Sequence, residues 1–136
     1  MTTLQISLPR DPTSPAGARR QLRAFATRHE IDDPETALLV LSELVTNAVL
    51  HGEGEIEVCV SCDDRRVRIE VTDANPDTSV VGARERMPDR PGGWGLRIVE
   101  SLAPRWGADR HDDGKTVWVE IDRAAPESGR ASEATG

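Results

Sequence analysis

The sequence predicts an α+β domain: a two-layer α/β sandwich in which a mixed, mostly antiparallel sheet carries its helices on one face. Two long stretches repeat apolar residues at helical spacing, and several short ones alternate apolar with polar side chains at strand spacing. Two of the strand-like stretches are joined by only Asp63, Asp64 and Arg65, a connection short enough for an antiparallel hairpin. At 136 residues the chain is one domain, expected to occupy residues 1–122.

In chain order, Leu4, Ile6 and Leu8 alternate with polar residues in a first strand that Pro9 ends. Thr13, Ser14 and Pro15 open a helix running to about His29, with Ala18, Leu22, Phe25 and Ala26 on its buried side. Arg19, Arg20, Arg23 and Arg28 fall outside that stripe, as a solvated face or as a docking face for an acidic partner. The next helix is punctuated by Asp33 as an N-cap acid, Pro34 at the first helical position and Gly52 past the end. Leu38, Leu41, Leu44, Val45, Ala48 and Val49 give it the broad apolar stripe of a helix packed on a sheet.

The hairpin follows. Ile56, Val58 and Val60 alternate with Glu55, Glu57 and Cys59, then Val67, Ile69 and Val71 with Arg66, Arg68, Glu70 and Thr72, which leaves Asp73 at the strand's end. Residues 76–92 hold Pro76, Pro88 and Pro91 with little periodicity, a length that marks a functional loop or lid. Helical spacing resumes with Leu96, Val99 and Leu102, behind Gly92, Gly93 and Gly95. A last strand runs from Thr116 to Ile121, opened by Gly114 and Lys115, and residues 123–136 lack apolar anchors, so a disordered tail is expected there.

Composition excludes several functions. The formal charge is -7, from 24 acids against 17 bases, which argues against direct nucleic-acid binding. No apolar run reaches the length of a membrane span, and the first residues lack the basic and apolar regions of a signal peptide, so a cytoplasmic protein without membrane contact is expected. Cys59 and Cys62 fall on opposite faces of a strand with no second pair to complete a zinc site, and His29, His51 and His111 are scattered.

Glu43 and Asn47, four apart on one helix, project about 40° from each other at the margin of the apolar stripe. Most such pairs are ordinary solvated residues. These types also suit chemistry, because an amide oxygen is a hard ligand for magnesium and a carboxylate one turn earlier can orient or deprotonate a hydroxyl. Gly93 and Gly95 at a helix start let backbone amides approach a phosphate. A dinucleotide fingerprint fails, because Ile98 stands where glycine or alanine is needed. A Walker phosphate loop fails as well, because Asp109 stands five residues before Gly114.

Taken together, Glu43 and Asn47 on a helix, Asp73 after a strand, the long loop, Gly93, Gly95 and Leu96 opening another helix, and Gly114, Lys115 and Thr116 before a last strand resemble the GHKL ATP-binding fold. That superfamily takes in gyrase, the heat-shock 90 chaperone, histidine kinases and MutL. The likeness covers roughly residues 35–121. Within the superfamily, a short chain with an N-terminal strand and helix looks most like the anti-sigma-factor serine/threonine kinases.

The resemblance implies ATP and Mg2+ as cofactors, with Asn47 as the metal ligand and Glu43 acting on a substrate serine hydroxyl. It implies that Asp73 hydrogen-bonds the adenine amino group and that Thr116 supports the adenine pocket from the neighbouring strand. Gly93 and Gly95, with Leu96 beside them, would bring the lid and helix start against the phosphates, and Arg84, Arg86 and Arg90 are candidates for the lid's contribution. Plainer uses stay open: Asp73 as a turn residue, the glycines as turn formers, Thr116 as a strand residue. One departure stands out, since the family's acid-x-glycine reads Asp73, Ala74, Asn75, and a residue before Pro76 is biased toward extended backbone. The implied function is a kinase that phosphorylates a serine of a STAS-like anti-anti-sigma protein and sequesters a sigma factor, as a homodimer. The alternative is an ATP- or ADP-gated module that holds a protein partner without phosphorylating it.

Overall fold

The computed structural model describes residues 2–77 and 105–123. In chain order these form β1 (Thr2–Leu8), α1 (Ser14–Arg28), α2 (Glu35–His51), β2 (Ile56–Cys62), β3 (Arg66–Asp73), β4 (Arg105–His111) and β5 (Gly114–Asp122). The strands make one five-stranded sheet in the order β1-β2-β3-β5-β4, and every described pairing is antiparallel. The two helices pack on each other and on one face of the sheet, which gives the α+β two-layer sandwich.

Strand alternation builds the core. Register lines up Ile6, Val58, Val71 and Val117 in one row across the sheet, with Ile69 and Val119 paired in a neighbouring one. Those side chains meet Leu22, Phe25, Leu38, Leu41, Leu44 and Val45 from the helices in a single apolar cluster. Ala18, Leu22, Phe25 and Ala26 are the buried side of α1, as its spacing predicts. On α2 the buried set is Ala37, Leu38, Val40, Leu41, Leu44, Val45 and Ala48, while Val49 is only half-buried.

Two expectations are corrected. Asp33 does not cap α2: its backbone is left-handed at φ 49°, no side chain caps the helix, and Pro34 takes the N-cap position with its carbonyl accepting Leu38 N–H at 2.8 Å. The proline ring disfavours helical geometry in the residue before it, and aspartate tolerates the left-handed region better than most side chains, so Asp33 makes the turn instead. The second correction is β4, which the apolar pattern does not reveal. It joins β5 through Asp112 and Asp113, and β5 itself starts two residues before the expected Thr116.

The sheet face away from the helices is polar. Glu120 accepts hydrogen bonds from Arg68 at 2.8 Å and Arg105 at 2.9 Å, and the Arg68 guanidinium lies 4.6 Å from the centre of the Trp118 ring. Cys59 and Cys62 are free thiols in β2. Among the described residues no helix is long and apolar enough to cross a membrane. Most of the expected lid, all of the expected helix after Gly92 and residues 124–136 lie outside the described residues.

Candidate functional site

The end of α2, the end of β3 and the start of β5 converge, and two glycines permit it. A Cβ on Gly52 would stand 2.5 Å from the Ala48 carbonyl oxygen and 2.7 Å from Asp73 Cγ. Gly52 has extended backbone, φ -87° and ψ -173°, so close approach rather than left-handed geometry demands glycine past this helix end. A Cβ on Gly114 would stand 1.9 Å from the Asp73 carbonyl oxygen, at a φ of +155° that side chains rarely adopt.

Asp73 is buried in this junction, and so is Lys115, its register partner on β5; each is 4% exposed. Lys115 Nζ lies 3.1 Å from Asp73 Oδ2 and 3.2 Å from Oδ1, and donates to the Asn75 carbonyl at 3.2 Å. Asp73 Oδ1 also accepts the Asn75 N–H at 2.8 Å and the Glu53 N–H at 3.4 Å. A buried carboxylate beside the negative end of a helix would be strongly destabilising alone, and the ammonium offsets that charge.

Asn75, standing where the resembled motif has glycine, ties β3 back to α2. Its Nδ2 donates to the His51 carbonyl at 3.0 Å, and its Oδ1 accepts the Asp77 N–H at 3.1 Å. Arg10 does the same within the last turn of α2, donating to the Val49 carbonyl at 2.9 Å. These donors satisfy last-turn carbonyls that have no partner within the helix. The only described non-glycine residues with positive φ are Glu30 and Asp33, so Asn75 keeps the negative φ expected ahead of Pro76.

Further back on α2, Glu43 and Asn47 are both half-buried at the margin of the apolar stripe. Asn47 Oδ1 is buried and has no hydrogen-bond partner among the described residues. Leaving such an acceptor unsatisfied costs about 1–3 kcal/mol, a cost that a ligand at this oxygen removes. Asn47 precedes Gly52 by roughly 7.5 Å of helix rise. A hard, uncommitted amide oxygen fits magnesium, which takes oxygen ligands and keeps several waters rather than demanding an all-protein cage. No cluster of three or more His, Cys, Asp or Glu side chains among the described residues is placed to form such a cage.

Thr116 goes elsewhere. Its Oγ1 lies 2.7 Å from Thr72 Oγ1 and 2.7 Å from His111 Nε2, on the polar face of the sheet. Asp73 and Lys115 share the parity of the core-facing rows, so the β5 side chain that reaches Asp73 is Lys115 and not its neighbour. Sequence reading missed Lys115 in this role, although an acid and a base ending two apolar rows of one sheet was a usable signal. Gly93, Gly95, Leu96 and the arginines Arg84, Arg86 and Arg90 lie outside the described residues.

A helix with an unsatisfied buried amide oxygen thus ends against a buried strand-end acid of an antiparallel sheet. The family model for the histidine kinase-like ATPase domain matches residues 8–121, and the chain belongs to that family. Among curated proteins none matches the sequence. The fold is shared with the RsbU and RsbW domains of Rv1364c from Mycobacterium tuberculosis, at 24% identity and a TM-score of 0.68, covering 92% of this chain and 34% of that one. It is shared also with the Acinetobacter baumannii histidine kinase AdeS, at 12% identity and a TM-score of 0.51, covering 90% of this chain and 69% of that one. The present chain thus spans about a third of the length of the first of these structures.

Proposed function

We propose that this chain is an anti-sigma-type serine/threonine protein kinase. It binds Mg-ATP, transfers the γ-phosphoryl group to a serine of a STAS-like anti-anti-sigma protein, and sequesters a sigma factor. The observation that carries this reading is the buried, unpartnered Oδ1 of Asn47, one turn after Glu43 on a helix whose end abuts Asp73. Membership of the histidine kinase-like ATPase family supports it.

Bound magnesium supplies positive charge against the phosphate oxygens. Asn47 Oδ1 is its protein ligand. Asp73 accepts a hydrogen bond from the base's exocyclic amino group. Glu43 orients the substrate serine hydroxyl and takes its proton as the serine oxygen bonds to the γ-phosphorus and the bond to the β–γ bridging oxygen breaks, releasing ADP. Positioning and electrostatics carry such a transfer, so few protein groups are needed.

Titration with labelled ATP, with and without magnesium, tests the site before any partner is known. Asn47→Ala should weaken magnesium-dependent binding by about tenfold to a hundredfold, the equivalent of losing one bond to a charged group. Glu43→Gln should bind ATP as the wild type does and lose about a hundredfold or more in transfer to a serine substrate. Equal transfer by that variant removes Glu43 from the mechanism.

A further inference from the structure

The two edges of the sheet are built differently. β4 carries Arg105, Asp109 and Arg110, charges of the kind that keep an edge strand from pairing with another chain. β1, at the other edge, has no charged residue, proline or glycine, and its seven residues pair with β2 in unbroken register. Among the described residues no strand pairs with its outer side. Successive residues of an antiparallel strand bond to opposite neighbours, so half of the β1 amides and carbonyls are open to a further strand. The helix above this edge is equally bare of charge on that side. Arg19 donates to Ser42 and Arg23 to Glu35, which fixes one flank of α1 against α2. The opposite flank, on the side of β1, carries Gly17, Gln21 and Ala24 at helical spacing, with a charge only at its last residue, Arg28.

We propose that β1 pairs antiparallel with β1 of a second copy of this chain, about a two-fold axis through Gln5, so that the two sheets join edge to edge. The inference does not depend on the nucleotide-site reading. The strand is self-complementary in that register. Gln5 lies opposite its own copy, Thr3 opposite the partner's Ser7, Leu4 opposite the partner's Ile6 and Thr2 opposite the partner's Leu8, which uses the whole strand. The pairing also keeps each face intact: exposed Thr3, Gln5 and Ser7 stay on the polar side, Leu4 and Ile6 on the core side. Leu4 is only half-buried at the rim of the apolar cluster, and the partner's Ile6 covers it. Small side chains at Gly17 and Ala24 let two copies of α1 approach to about 8–10 Å, the separation of packed helices, above the joined strands. A Cβ on Gly17 would meet only the end of Arg20, so this flank is open. A second copy suits the edge better than an unrelated strand, because one symmetric register satisfies every position and leaves no charge to be matched.

Sedimentation equilibrium of the full chain without nucleotide should give twice the mass of one chain at micromolar concentration. Gln5 is exposed, so Gln5→Lys and Gln5→Glu should each fold with wild-type circular dichroism. Each sets like charges on Cβ atoms about 5 Å apart across the axis, and each should sediment as a single chain. Mixed in equal amounts, the two variants should recover the doubled mass, because lysine then faces glutamate. Wild type at the mass of one chain up to its solubility limit overturns the inference, whether the edge is then left to water or to another part of the chain. Folded Gln5→Lys at the doubled mass overturns it too, as does a mixture that stays at the single mass. Hydrogen exchange of the wild type decides the matter where the variants do not fold: β1 amides should exchange slowly at the doubled mass and faster on dilution to single chains. Exchange in β1 that dilution leaves unchanged gives the interface to another surface and overturns the pairing.

Discussion

A methyl group on Gly52 would be pressed against the Ala48 carbonyl at 2.5 Å and Asp73 Cγ at 2.7 Å, so Gly52→Ala must shift either the last turn of α2 or the carboxylate. Neither is the far end of a flexible side chain. The substitution should cost about 1–3 kcal/mol, the usual penalty for overpacking. Gly17 gives the opposite result. It sits inside α1, and a Cβ there would meet only the end of the Arg20 side chain, at 3.7 Å. Gly17→Ala should stabilise by about 0.5–1 kcal/mol, because alanine loses less backbone entropy in a helix. Denaturant unfolding of the two variants checks the pair; a Gly52→Ala protein as stable as wild type would mean the junction around Asp73 is looser than these distances require.

The elements that periodicity places are those with one face in the core, and the ones it misses break that rule for identifiable reasons. α1, α2, β2 and β3 each alternate or repeat cleanly because water covers one side and Leu, Ile and Val the other. β4 does not, because Gly107 must stay bare for the Trp118 ring, whose Cζ2 would lie 2.9 Å from a Cβ, and its last three residues are exposed. The turn signal of Asp112 and Asp113 before Gly114 was the available clue. In the site, Asp73 and the half-buried placing of Glu43 and Asn47 were legible from spacing, whereas Lys115 was hidden by its charge. A lysine in an apolar row is ordinarily read as the strand's exposed end.

The polar face of the sheet carries its own prediction. Hydrogen bonds from Arg105 and then Arg68 hold the Glu120 carboxyl below its ordinary value of 4.5. A depressed folded pKa gives stabilisation that is complete above the unfolded value and is lost as pH falls through the folded one. Glu120→Gln should therefore cost on the order of 1 kcal/mol at pH 7, given its partial exposure. The gap to wild type should close as the pH drops below about 4. Thermal melts across that range read it, and a gap that persists at low pH would assign the effect to packing around Trp118 instead.

For the molecule as a whole, a ligand that binds only the folded chain raises its stability, by about 2.7 kcal/mol at a hundred times its dissociation constant. Mg-ATP should raise the melting temperature of the wild type and do so far less for Asn47→Ala. In the core, Leu41 is fully buried between helix and sheet, and Leu41→Ala should cost about 2–5 kcal/mol with the nucleotide effect preserved in whatever remains folded.

β5 is the last described strand in sequence, yet it lies between β3 and β4 in space. As the chain leaves the ribosome, β1, α1, α2, β2 and β3 are all made before the strand that covers the β3 edge exists. Until then the nascent polypeptide offers an unsheathed row of amides and carbonyls to any neighbouring strand. It also holds a carboxylate at residue 73 whose counter-ion has not yet been synthesised. Translation of β5 closes both gaps at once.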